Sequence, residues 1–136
     1  MMLRDYRKRI VLVDDHLLVR QGVERLLNAS DEFVVIEEAG DAAEGFEMVR
    51  EMRPDAVIVD VGLPGGQDGI DLTQKLLREF PNLIVVILSA HDEPEFAERA
   101  FAAGAVGYVL KNEAVETLRS TLREAFAGKG AFHTDA

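Results

Sequence analysis

Several short apolar runs in this 136-residue chain end in groups that can do chemistry. "IVLVDD" (10–15) ends in Asp14 and Asp15, "AVIVD" (56–60) in Asp60, "LIVVILS" (83–89) in Ser89 and "GYVLK" (107–111) in Lys111. If these runs are neighbouring strands, the groups leave one edge of a sheet together. Two unit charges about 4 Å apart interact by roughly 4 kcal/mol at an effective dielectric of about 20, so three converging carboxylates repel strongly. Positive charge must balance them. Lys111 supplies one unit and a divalent cation two. Hard oxygen ligands, few in number and with room left for water, suit Mg²⁺ better than a soft transition metal. A metal beside a carboxylate, a lysine and a hydroxyl is equipment for phosphoryl transfer, which depends mostly on positioning and charge neutralisation. Asp60, alone on its strand and central, is the natural nucleophile.

The elements that must position these groups alternate five times between strand-like and helix-like. "RIVLVD" (9–14), "AVIVD" and "LIVVILS" are unbroken apolar runs, as expected of strands covered on both faces. "VVIEEA" (34–39) is more mixed and suits an edge, and "GYVLK" is a shorter fifth strand. Helical spacing joins Val19, Val23, Leu26 and Leu27, and likewise Leu72, Leu76, Leu77 and Phe80. Asp41 with Glu44, and Asp92 with Glu95, have the spacing of capping boxes, while Pro54, Pro81 and Gly104 mark helix ends. A last helix from about Asn112 is expected to bury Val115, Leu118, Leu122 and Ala125 or Phe126. Such a pattern predicts an α/β fold, a doubly wound parallel sheet with helices on both faces and its site beyond the carboxyl ends of the strands.

Composition bounds the alternatives. The chain has the length of one domain, 48% hydrophobic and 29% charged residues, and no run near the roughly 18 apolar residues of a membrane span. The basic start "MMLRDYRKR" precedes a run too short and too quickly acidic for a signal peptide, so no membrane role and a cytoplasmic location are expected. Without cysteine there is no disulfide framework, thiolate metal site or cysteine nucleophile. A formal net charge of -10 argues against a nucleic-acid surface on this segment.

"VDDH" followed by "VRQG", and "GYVLK" further on, resemble the response-regulator receiver domains of two-component signalling, in particular those of LuxR-type (NarL/FixJ-like) transcriptional regulators. The resemblance runs from about Lys8 to Ala127. It implies the flavodoxin-like receiver fold, five parallel strands in the order 2-1-3-4-5, over a domain 8–127 with an N-terminal extension 1–7 and the start of a C-terminal linker at 128–136. It also implies a function. Asp60 would accept a phosphoryl group from a sensor histidine kinase, with Mg²⁺ held by Asp14, Asp15, Asp60 and the backbone carbonyl of Gly62. Ser89 and Lys111 would bind the phosphoryl oxygens, and Ser89 with Tyr108 would form the switch. Ala90 is small, as access for a phosphodonor requires. Such a domain is not an enzyme in the ordinary sense, although it assists its own phosphorylation and dephosphorylation. The expected partners are the kinase, a second copy on phosphorylation, and DNA only through a separate C-terminal domain of a longer protein.

Two departures and several plainer readings belong beside this. In "VGLPGGQDG" (61–69), Gly69 follows Pro64 by one residue more than the family's usual spacing, and Asn112 stands where many stand-alone receivers carry proline. His16, after the acidic pair, could be a ligand or phosphoacceptor, but a first-turn surface role is expected. His91 either borders the site or is an ordinary loop residue, Tyr108 either switches or packs, and His133 lies in the tail. Arg4, Arg7, Lys8 and Arg9 read as a solvated extension. The competing function classes are a stand-alone receiver acting by protein contact and a Mg-dependent phosphohydrolase. The second usually carries another Asp two residues after its nucleophile, where this chain has Gly62.

Overall fold

The computed structural model describes residues 5–65 and 68–128. Arg4, Gly66, Gln67, His133 and the tail from residue 129 lie outside the described residues. Five strands, β1 (Lys8–Val13), β2 (Phe33–Ala39), β3 (Ala56–Asp60), β4 (Ile84–Ser89) and β5 (Gly107–Leu110), form one parallel sheet in the order β2-β1-β3-β4-β5. Between and after them run α1 (Leu17–Asn28), α2 (Ala42–Met52), α3 (Gly69–Glu79), α4 (Pro94–Ala102) and α5 (Ala114–Phe126).

Side chains alternate across each strand, so one strand feeds two cores. Ile10, Leu12, Ile58, Val86 and Leu88 face α1 and α5, where Val23, Leu27, Leu118 and Leu122 meet them. Val11, Val13, Val57, Val59, Val85 and Ile87 face the other way, against Phe46 and Val49 of α2, Leu72 and Leu76 of α3 and Ala100 of α4. Every residue of β3 is buried. This is why the three central runs show no polar alternation. Edge strand β2 slips register against β1 between Ile10 and Val11, a bulge that falls at Ile36.

The helix ends follow local chemistry. Asp41 accepts the Glu44 N–H at α2, as its sequence spacing predicts. Helix α2 stops where Arg53 takes a left-handed conformation ahead of Pro54, α3 stops before Pro81, and Gly104 follows α4 at φ 107°. The expected box at Asp92 and Glu95 does not form. Pro94 occupies the first turn of α4 and Glu93 precedes it, because proline's missing N–H costs nothing there. The capping box lies at α3 instead, where Asp68 accepts from Ile70 and Asp71 while Asp71 accepts the Asp68 N–H. Gly69 lies so close to β3 that a Cβ would collide with the Asp60 carbonyl oxygen.

Val115, expected in the core, is 71% exposed. A 3₁₀ turn over Lys111–Glu113 separates β5 from α5, and Val115 falls in the first turn of the helix, outside both cores. Leu118, Leu122 and Ala125 are buried as expected.

Candidate functional site

The site stands at the carboxyl ends of β1, β3 and β5. Asp14 directly follows β1 and Asp60 ends β3, and their side chains are only 6% and 5% exposed. Lys111 follows β5 rather than closing it, and its Nζ lies 3.2 Å from both Asp14 Oδ2 and Asp60 Oδ2. Asp15 is more open. Four groups that the sequence separates by as much as 97 positions therefore meet, because parallel strands deliver their ends to one edge.

Burial raises the Asp60 carboxyl above its ordinary value of 3.8, and the Asp14 charge adds to the rise. Lys111 and the Gly62 N–H, which donates to Asp60 Oδ1 at 3.3 Å, pull the other way without prevailing. Asp14 Oδ2 is buried and takes no hydrogen bond. The ammonium reaches it as an ion pair without hydrogen-bond alignment. Three carboxylates against one lysine leave an excess of negative charge, and a buried acceptor lacks a donor. Both features fit a divalent cation, which Asp14, Asp15 and Asp60 could hold.

His16 departs from expectation. It caps α1 in an extended conformation, and its side chain is 60% exposed, consistent with a surface position. Yet its Nδ1 lies 3.1 Å from Asp14 Oδ1, 3.2 Å from Asp15 Oδ1 and 3.9 Å from Asp60 Oδ2. Arg20, unlike His16, is a residue that sequence reasoning did not single out. Its Nε donates to Glu38 on β2 at 3.0 Å and its guanidinium donates to the Asp14 carbonyl oxygen, which ties the turn bearing the acidic pair to the neighbouring strand. The signal was a charged residue in the first turns of α1 matched by the acidic pair Glu37 and Glu38 near the end of the mixed edge strand.

Ser89 ends β4 one register step beyond the partner of Asp60, fully buried. Its Oγ accepts the His91 N–H at 2.9 Å. Tyr108 on β5 donates its hydroxyl to the His91 carbonyl at 2.6 Å, and burial raises its phenol pKa, with Ser89 opposing the rise. The His91 ring stacks on Phe96 with centroids 4.3 Å apart. Ser89 and Tyr108 thus converge on one loop residue. His91 belongs to the site's border.

A doubly wound α/β domain with an acidic cluster at its switch-point edge defines a class of phosphate-handling or cation-binding proteins. The particular family follows from comparison. Residues 10–123 match the response regulator receiver domain model, and the chain belongs to that family. It is 36% identical over 120 residues to the oxygen regulatory protein NreC of Staphylococcus carnosus, covering 88% of this chain and 55% of that protein. The chain therefore spans about half the length of the curated relatives it matches. Among solved structures, a LuxR-family two-component response regulator from Aurantimonas sp. SI85-9A1 superposes with a TM-score of 0.87 at 37% identity, covering 91% of this chain and 88% of that one. The receiver domain of the putative response regulator NarL from Mycobacterium tuberculosis gives 0.75 at 34% identity, with 86% and 97% covered. Among the described residues no helix is long and apolar enough to cross a membrane.

Proposed function

We propose that Asp60 is the phosphoacceptor of this receiver. A carboxylate oxygen of Asp60 forms a bond to the phosphorus of a kinase phosphohistidine as the nitrogen–phosphorus bond breaks, and the freed imidazole keeps the bonding pair. Hydrolysis by water at phosphorus later restores the carboxylate, a self-dephosphorylation that the same residues assist. The observation that carries this reading is the placement of Lys111 Nζ 3.2 Å from an oxygen of a buried Asp60 whose neighbours are otherwise acidic. Lys111 holds that carboxylate in place and answers the charge that accumulates on the transferring oxygens.

Asp15 and Asp14, with Asp60 and the Gly62 carbonyl, would hold Mg²⁺, which when bound supplies charge neutralisation to the transferring group. Ser89, whose oxygen accepts from His91 N–H, keeps its own proton available for a phosphoryl oxygen. Tyr108, tied to the same loop, reports the change to the surface of α4, β5 and α5. The partners on this reading are a sensor histidine kinase, a second copy of the chain after phosphorylation, and DNA through a separate C-terminal region. Transcriptional output is supported by similarity to longer relatives named as regulators. The receiver spans 8–127, with 1–7 an extension and 128–136 the start of a linker, in a cytoplasmic protein.

Incubation with acetyl phosphate and Mg²⁺ tests the assignment. One base-labile phosphoryl group is expected by mass spectrometry, and Asp60→Asn abolishes it. Modification that survives Asp60→Asn and maps to another residue refutes the reading.

A further inference from the structure

The phosphoacceptor reading leaves His16 without a task, although its ring nitrogen lies among the three carboxylates. We propose that the cluster is a mixed nitrogen and oxygen site in which His16 Nδ1 is a metal ligand, so that the ring strengthens binding of a first-row transition ion such as Mn²⁺ or Zn²⁺ far more than that of Mg²⁺. The proposal rests on the reading that Asp14, Asp15 and Asp60 hold a divalent cation.

The spacing is that of a coordination shell. Ligands about 2.1 Å from one ion stand about 3 Å apart when adjacent and about 4 Å when opposite. Nδ1 lies at 3.1 and 3.2 Å from oxygens of Asp14 and Asp15 and at 3.9 Å from one of Asp60. One oxygen or nitrogen from each of the four residues falls within 4.8 Å of the rest.

Hydrogen bonding alone does not account for this packing. Nδ1 stands at hydrogen-bond distance from Asp14 Oδ1, at 3.1 Å, and from Lys111 Nζ, at 3.5 Å, but it carries at most one proton and faces three carboxylate oxygens. Asp14 Oδ1 already accepts the His16 backbone N–H at 2.8 Å, and the buried Asp14 Oδ2 takes no hydrogen bond. Acceptors in the cluster outnumber well-aligned donors, and a cation resolves the mismatch.

The backbone places the imidazole deliberately. His16 caps α1 with its side chain making no capping bond, and Asp14 pins its N–H, so the ring turns to the cluster while Leu17 and Leu18 face outward. Imidazole is a poor ligand for Mg²⁺ and a good one for later first-row ions, whose affinities at a shared site rise along the series towards copper. Any site ranks these metals in that direction. What His16 adds is a differential that its removal must erase.

The test is equilibrium binding to the full chain: Mn²⁺ followed by the EPR signal of the free ion, with Zn²⁺ and Mg²⁺ as competitors, for wild type, His16→Ala, His16→Gln and Asp15→Ala. Folding of each is checked by thermal unfolding. His16→Ala and His16→Gln are expected to weaken Zn²⁺ and Mn²⁺ about tenfold or more while changing Mg²⁺ less than about threefold. Asp15→Ala weakens all three, and Zn²⁺ shifts the His16 ring nitrogen resonances in wild type. If the His16 variants bind Zn²⁺ and Mn²⁺ as wild type does, or bind all three metals more tightly, the ring is a bystander or a plug and the proposal fails. A continued loss in Asp15→Ala then leaves the carboxylate cation site standing. If Asp15→Ala also changes nothing, that reading falls as well.

Discussion

Replacing Lys111 by methionine keeps most of the stem and removes the charge that two buried carboxylates face. Nζ is 3.2 Å from an oxygen of each, and the lysine side chain is 19% exposed. Each contact is worth about 5 kcal/mol at an effective dielectric of about 20, or about 10 kcal/mol together. Releasing the ammonium to water returns several kcal/mol of that, so the net loss falls in the range of about 3–5 kcal/mol seen when one partner of a buried pair is removed. For a domain of this length that lowers Tm by about 10–20 °C. The loss has a pH signature. Without Lys111 one of the groups holding down the raised Asp60 carboxyl is gone, so the stability difference is full near neutrality and disappears as pH falls through the carboxylate range. Divalent metal at a hundred times Kd adds about 2.7 kcal/mol to either protein, so it raises both stabilities without closing the gap between them. Denaturant unfolding of both proteins at pH 7 and at pH 4, with and without Mg²⁺, measures all of this. A loss below about 1 kcal/mol at pH 7, or an equal loss at both pH values, refutes the argument that Lys111 holds a charge-excess cluster together.

Four further outcomes are expected. Asp60→Asn raises metal-free stability near pH 7: its folded pKa lies above the unfolded value, so ionised Asp60 opposes folding, and thermal melts of mutant and wild type converge as pH falls through that folded pKa. Asp15→Ala leaves the metal-free Tm level or slightly higher while weakening Mg²⁺ binding, since it removes one of several like charges; a marked drop in Tm refutes this. Gly69→Ala costs about 1–3 kcal/mol by denaturant unfolding, because its Cβ meets the Asp60 carbonyl oxygen and stands 2.8 Å from Val59 Cγ1. Beryllofluoride, which imitates the phosphoryl group, raises self-association in sedimentation and shifts backbone NMR signals out to Tyr108 and α5 in wild type but not in Ser89→Ala; changes confined to the pocket refute the switch.

The central strands were legible because each is short, apolar and covered on both faces, and their ends agree with the sequence reading within a residue. Asp14, Asp60, Ser89 and Lys111 were legible for the same reason: a polar group after an unbroken apolar run has only the strand end to occupy. What failed lay at element ends. Val115 keeps helical spacing with Leu118 and Leu122, but it stands in the first turn of α5, outside both cores, and is exposed. At α3 the box closes through Asp71, where the familiar pattern looks for Glu or Gln. His16 was read as a surface residue at the start of α1, where it is, and what the sequence did not show was its approach to the carboxylates. Its proximity to Asp60 joins residues 44 positions apart, and only the β1 and β3 pairing brings them together.

The separation of core from site also explains how a small chemical event can reach a surface. The apolar faces of β1, β3 and β4 hold the fold, so the strand ends can carry surplus negative charge without unfolding the domain. On the phosphoacceptor reading, modification of Asp60 adds about one further negative charge near neutral pH. Cation and phosphoryl group then favour each other, and by linkage each strengthens the binding of the other. Ser89 can answer the new oxygens with its hydroxyl proton. His91 stands between the two switch residues, its N–H held by Ser89 and its carbonyl by Tyr108 at 2.6 Å. Movement of Ser89 towards the phosphoryl group therefore pulls on a residue that Tyr108 must release or follow. On that reading the chemistry at the sheet edge and the aromatic on β5 are coupled through one residue, His91, and the packed sheet beneath gives it a rigid base to move against.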